Sequence, residues 1–266
     1  MSAPSVATPS AARTDPIAAA VADAQGVRGG AQIGITVLDR TTGKMTLGRL
    51  GTVPFLSASV VKLLTAVDVL RRSEVGGGAV SPAQRALIKR ALSASDDAAM
   101  TALWNQFGRA RIVTELAGWA RLSDTHPPVD TAQWAETKVS ARDVAATYTY
   151  LFTVLTSVDR QLVLSSLRAA APRGTDGFDQ SFGLLAPPRR PGVAAKQGWM
   201  MIGPAEYLHS TGVIGPGDRY IVVVLTKRPA AEGYETGRAA VTAAVARVVS
   251  ALPPGPSTSH PPTAKA

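Results

Sequence analysis

The sequence predicts an α/β protein of the α+β kind, with one antiparallel sheet flanked by terminal helices and an all-helical lobe beside it. Three observations predict it. Strand-like runs rich in β-branched residues fall near the two ends of the chain, segments with helical spacing fill the middle, and the first and last periodic segments are helical. The economical packing joins the terminal strands in one sheet, covers it with the terminal helices and leaves the middle helices as a second layer. With 266 residues, 45% hydrophobic and 18% charged, the chain can bury a substantial core.

Taken in order, residues 1–13 are rich in Ala, Ser and Pro and read as a flexible leader. "TDPIAAAVADAQG" is a helix, capped by Thr14 or Asp15, with Pro16 in its first turn and Gly26 at its end. "AQIGITVLDRTTGKMTLGRL" alternates around a turn and reads as a hairpin. An apolar helix runs from about Ser59 to Arg72, and helices follow in "PAQRALIKRALSA", "SDDAAMTALWNQFG" and "RARIVTELAGWARL". "SDTHPPVDTAQWAETK" lacks a period and is a loop. Two more helices, a loop or broken helix over "PRGTDGFDQSFGLLAPPRRPGV", three strands within 193–229, a last helix and a disordered tail over 253–266 complete the chain. The folded domain is therefore 14–252, with an α/β lobe of about 14–70 and 190–252 and a helical lobe of about 71–189.

The totals exclude several functions. The net charge is +9, but the cations are scattered and aromatics are only 5%, so nucleic acid is not expected as a partner. There is no cysteine, which removes disulfides, thiolate metal sites and a thiol nucleophile. The three histidines are dispersed, without an HExxH pattern, and no metal is expected. No apolar run is long enough to be a transmembrane segment, and no signal peptide is read, so any export signal would lie outside this chain.

The stretch "FLSASVVKLL" places Lys62 in an apolar helix, three residues after Ser59. Residues three apart share a helix face. Burial favours the neutral amine, and a neutral amine beside a hydroxyl is a general base beside a nucleophile. The bland alternative is that Ser59 caps the helix and Lys62 snorkels to the surface. "SASDDAAM" sets Ser95, Asp96 and Asp97 at a helix start, which by itself reads as a cap. "KQGW", from Lys196 to Trp199, opens a strand with a cation able to hold an anion and a glycine, Gly198, that lets a ligand approach the strand edge.

In this order the three stretches match S-x-x-K, S-D-N and K-T-G, and the chain strongly resembles the serine β-lactamase and D,D-peptidase family, class A in particular. Phe55, four residues before Ser59, and "VSARDVA" at 139–145 extend the resemblance over about residues 16–252. The resemblance implies a β-lactamase/transpeptidase-like fold. It implies Ser59 as acylated nucleophile, Lys62 as proton acceptor and Ser95 as relay to the leaving nitrogen, with Lys196 holding a substrate carboxylate. Asp97, Gln197, Gly198 and Trp199 would line the substrate, with the N–H groups of Ser59 and Trp199 as oxyanion hole. It further implies a small-molecule or peptidoglycan-peptide substrate, no cofactor, a monomer, and an extracytoplasmic location, secreted or lipid-anchored.

Two residues depart from the pattern. Asp97 replaces an asparagine and, while ionised, cannot donate the amide hydrogen bond. Gln197 replaces a threonine or serine whose hydroxyl contacts the substrate carboxylate. The 36-residue interval from Ser59 to Ser95 is shorter than is usual in class A, and the stretch from Leu122 to Ser140 is short for the loop that carries the deacylating glutamate. Glu136 is the only glutamate there. Two functions are therefore weighed: a serine hydrolase with slow deacylation, and a catalytically impaired cell-envelope binding protein on the same fold. A Ser-His-Asp hydrolase is disfavoured, since no G-x-S-x-G elbow occurs.

Overall fold

A computed structural model describes residues 15–26 and 31–253. The leader and all of the tail beyond Pro253 lie outside the described residues. Helix α1 (Pro16–Ala24) begins at Asp15, whose carboxylate accepts the Ile17 N–H. Strands β1 (Gln32–Asp39) and β2 (Met45–Leu47) form the predicted hairpin. β5 (Ala194–Ile202), β6 (Ala205–Ile214) and β7 (Tyr220–Pro229) form the later meander. All five join one antiparallel sheet in the order β2-β1-β7-β6-β5, so the two ends of the chain meet at the β1–β7 pairing.

The period-2 pattern of the strands assigns their faces. Ile33, Ile35, Val37, Val222 and Val224 pack with α1 and with α8 (Gly233–Ser250). Leu38, Ile221, Val223 and Leu225 face the other way, toward the helical layer. That layer contains α2 (Val61–Val75), α3 (Pro82–Ser93), α4 (Asp97–Gln106), α5 (Ala110–Ala120), α6 (Ala141–Thr153) and α7 (Ser157–Arg168). Of these, α6 lies directly on β1 and β7, and α7 reaches β5.

Ten successive residues of α2, Val61 to Leu70, are buried, so this helix is surrounded on every side. Each fully buried Val or Leu contributes roughly 1.5–3 kcal/mol, enough in sum to hold a lysine and an aspartate in the same segment. The helix is preceded by a 3-10 turn over Ala58–Val60, so Ser59 stands two residues before the α-helix it was predicted to open. The 122–138 stretch is not wholly loop. It contains a 3-10 turn at Trp134–Glu136 and ends in β4 (Lys138–Val139), which pairs with β3 (Phe55–Leu56). Two-residue strands carry no readable period, and only the distant pairing reveals them.

Candidate active site

The chain enters the site through β3. Leu56 O accepts the Nε2–H of His209 at 2.8 Å, and His209 Nδ1 accepts the Thr226 N–H. Burial holds this imidazole neutral, with its pKa lowered to about 4. Both ring nitrogens are spent on backbone, which makes His209 a tie between strands rather than a base. Ala58 then turns the chain with φ 45°, in the left-handed region that costs a β-carbon roughly 1–2 kcal/mol. This turn sets Ser59 against the outer edge of β5.

Lys62 lies one turn below. Its Nζ is 2.6 Å from Ser59 Oγ, 3.0 Å from Ser95 O, 3.2 Å from Ser95 Oγ and 2.6 Å from Asp97 Oδ1. Lys62 is 1% exposed, so it does not snorkel. Desolvation lowers its pKa, and the charge and hydrogen bond of Asp97 oppose that shift. The Trp134 ring centroid sits 4.6 Å from the same nitrogen. Ser95 takes a left-handed conformation, φ 51°, between α3 and α4. Asp96 rather than Ser95 caps α4, accepting the Ala99 N–H. The residue that reads as a cap is thus free to face the lysines.

The opposite wall is β5, one of the two edge strands of the sheet. Lys196 is also 1% exposed, and its Nζ reaches Ser95 Oγ at 3.0 Å and Gln197 O at 2.8 Å. Burial, then the neighbouring Lys62 charge, drive its pKa well below the usual lysine value. Behind it, Tyr148 OH is 3.1 Å from Thr211 Oγ1, which donates to Lys196 O and fixes the strand. Gly198 suits a tight space: a β-carbon there would lie 3.0 Å from Ser57 O and 3.1 Å from His209 Cδ2, closer than most β-carbon contacts. Ser59, Lys62, Ser95, Asp97 and Lys196 therefore converge, although they lie up to 137 positions apart in the chain.

Gln197 does not present its amide N–H groups to the cleft. Its Nε2 donates to the Gln180 and Phe182 carbonyls, and its Oε1 is buried without a donor. Trp199 stacks on Phe178, with ring centroids 4.6 Å apart, and its Nε1–H donates to Asp176 at 2.8 Å. Glu136 is half-buried at the end of the 134–136 turn, and no hydrogen bond joins its side chain to Ser59, Lys62 or Ser95. Trp134, Asp176 and Phe178 border the site without having been singled out in the sequence, because they lie in the two aperiodic loops. A 200 Å³ cavity under α8 is lined by none of these residues, and the reactive groups rather than the size of a hollow locate the site. Among the described residues, no group of three or more His, Asp or Glu side chains is placed to hold a metal ion.

The arrangement defines a class before a family. The fold is that of solved class A β-lactamases. One from Bacteroides cellulosilyticus superimposes with a TM-score of 0.74 at 15% identity, covering 89% of this chain and 97% of that one. PenP from Rhodopseudomonas palustris, a "Putative Class A Beta-Lactamase", gives 0.69 at 20% identity, covering 90% and 100%. A family model, the β-lactamase enzyme family, matches residues 78–252, which include Ser95 and Lys196 and begin after Ser59 and Lys62. The chain is 36% identical over 220 residues to a Mycobacterium tuberculosis protein named "Putative lipoprotein LppW", covering 81% of this chain and 69% of that protein. A Mycobacterium bovis protein of the same name matches equally. The chain belongs to the β-lactamase enzyme family, a family of serine hydrolases. Among the described residues, no helix is long and apolar enough to cross a membrane.

Proposed function

We propose that the protein is a serine hydrolase of the extracytoplasmic space that forms a covalent acyl-enzyme on Ser59 from a β-lactam or a D-Ala-D-Ala-like peptide, and releases it slowly. The observation that carries the reading is the contact of 2.6 Å between the buried Lys62 amine and Ser59 Oγ. Neutral Lys62 takes the Ser59 proton as Oγ attacks the carbonyl carbon. The carbonyl oxygen becomes an oxyanion facing the N–H groups of Ser59 and Trp199. Collapse breaks the C–N bond, and the proton passes through Ser95 Oγ, which Lys62 and Lys196 both touch, to the leaving nitrogen. Lys196 holds the substrate carboxylate. Water must then cleave the ester, and the absence of a hydrogen bond from the Glu136 side chain to Ser59, Lys62 or Ser95 favours a slow step. The name "Putative lipoprotein LppW" of the mycobacterial relatives supports attachment to the membrane by lipid.

A specific observation favours the second reading, a binding protein without turnover: Asp97 pairs with Lys62 at 2.6 Å and opposes loss of its proton. Incubation with a fluorescent penicillin, followed by intact-mass measurement, decides between them. A long-lived adduct of one penicillin mass, absent in Ser59→Ala, is expected. No adduct, with no esterase activity on neutral esters, would leave the binding protein.

A further inference from the structure

The geometry points to Asp97 as a specificity-determining residue that selects acyl donors bearing an ammonium, or another N–H donor, on the acyl side of the scissile bond. This rests on the proposed acyl transfer at Ser59. Ser95 separates the two lysines, with Lys196 on the strand side and Lys62 with Asp97 on the helix side. A substrate whose carboxylate lies at Lys196 and whose carbonyl carbon lies at Ser59 therefore extends its acyl portion toward Asp97. That side chain is 63% exposed; Oδ1 meets Lys62, and Oδ2 has no hydrogen-bond donor among the described residues. A carboxylate there accepts hydrogen bonds and repels an acceptor.

The loss of charge during reaction strengthens the selection. Lys62 must be neutral to accept the Ser59 proton, and in that form the Asp97 charge has lost its partner. A substrate ammonium replaces it. By drawing Asp97 away, it also weakens the hold of the carboxylate on the Lys62 proton, so the same contact favours binding and the reactive protonation state. Asp176, exposed beside Trp199 on the strand wall, adds a second negative charge to the cleft in a chain of net charge +9.

Three penicillins that differ only at the side-chain α-carbon test the inference: aminobenzylpenicillin (ammonium), benzylpenicillin (hydrogen) and carboxybenzylpenicillin (carboxylate). Their second-order rates of Ser59 acylation are read by competition with a fluorescent penicillin. The ammonium compound is expected to exceed the carboxylate compound by about tenfold, the combined scale of one attraction gained and one repulsion avoided at a partly exposed charge. Asp97→Asn is expected to reduce that ratio toward unity. Equal rates, a carboxylate preference, or a ratio unchanged in Asp97→Asn overturns the inference. If no penicillin acylates Ser59, the hydrolase reading fails separately. Charge selection is then read from quenching of Trp134 and Trp199 fluorescence as the three compounds bind to Ser59→Ala and to Ser59→Ala/Asp97→Asn, and the same ordering or its absence decides.

Discussion

The helical wall of the cleft and its sheet wall each bury a lysine, and they treat its charge differently. Lys62 has a carboxylate at 2.6 Å, supplied by a side chain that stays mostly in water. Lys196 has only neutral oxygens, Ser95 Oγ and Gln197 O, and receives the field of Asp97 and Asp176 from farther away. At the first lysine burial is the larger influence and the attraction of Asp97 offsets part of it, which suits a group that must gain and lose a proton. The second is uncompensated, and an anionic ligand would satisfy it. The two walls thus divide proton transfer from anion binding, with Ser95 bridging them.

Removing each lysine gives the largest effects. Lys62→Met is expected to lower the acylation rate by roughly 10³, within the range of general base catalysis. Lys196→Met should cost about 10–100-fold, mainly through weaker binding of carboxylate-bearing substrates. Pre-steady-state labelling with a fluorescent penicillin separates the two, as a fall in the limiting rate for one and a rise in half-saturating concentration for the other. Equal effects on both parameters would abolish the division of labour.

Much of this contrast is legible in the sequence. Ser59 and Lys62 stand out because an ammonium interrupts a segment too apolar to leave it in water, and Lys62 is 1% exposed. The sheet is legible because the predicted strands fall at the two ends of the chain, and β1 pairs with β7 along its whole length. Ser95 and Lys196 mean little alone, and only their order after Ser59 marks them. What one sequence hides is the environment of Asp97 and Gln197. Nothing in "SDDAAM" indicates that Asp96 takes the cap and frees Asp97 for Lys62. Nothing in "KQGW" indicates that the glutamine turns to the Gln180 and Phe182 carbonyls, in a loop without a period.

The balance at Lys62 is testable through pH. Asp97 raises the affinity of Lys62 for its proton and burial lowers it, so Asp97→Asn removes the raising influence. Acylation needs the neutral amine, and the acidic limb of its pH profile should move to lower pH. Lys62 and Lys196 both have folded pKa values below their unfolded ones. Between those values the unfolded chain binds more protons, and stability rises with pH toward the unfolded lysine value near 10.4. Asp97→Asn should widen that window for Lys62. Melting temperatures across alkaline pH, falling where a rise is expected, would contradict the assignment of burial as the dominant influence.

Stability at neutral pH separates the walls by a smaller margin. Desolvating a charged group costs several kcal/mol, while a hydrogen bond to a neutral partner returns about 1 kcal/mol. Lys196→Met relieves the first at the loss of two such bonds, so it should stabilise the fold by about 1–3 kcal/mol. Lys62→Met relieves a similar desolvation but also loses the attraction of Asp97, which returns to water at little penalty because it is largely exposed already. Its net effect should be near zero. Denaturant titration at one pH measures both, and a Lys62→Met protein stabilised more than Lys196→Met would reverse the ranking.

The smallest effect concerns the backbone that places the nucleophile. Ala58 and Ser95, each beside or within the lysine–serine cluster, hold left-handed φ values of 45° and 51°. A glycine at position 58 adopts that conformation without the steric penalty, but its unfolded chain is more flexible, which returns part of the gain. Ala58 is fully buried, so the lost methyl group also subtracts up to about 1 kcal/mol. Ala58→Gly should therefore change stability by less than about 1 kcal/mol while loosening the position of Ser59. The expected outcome is a slower acylation rate at nearly unchanged melting temperature. A marked fall in melting temperature with unaltered acylation would show that Ala58 serves packing, and that the turn at this position is not what orients the serine.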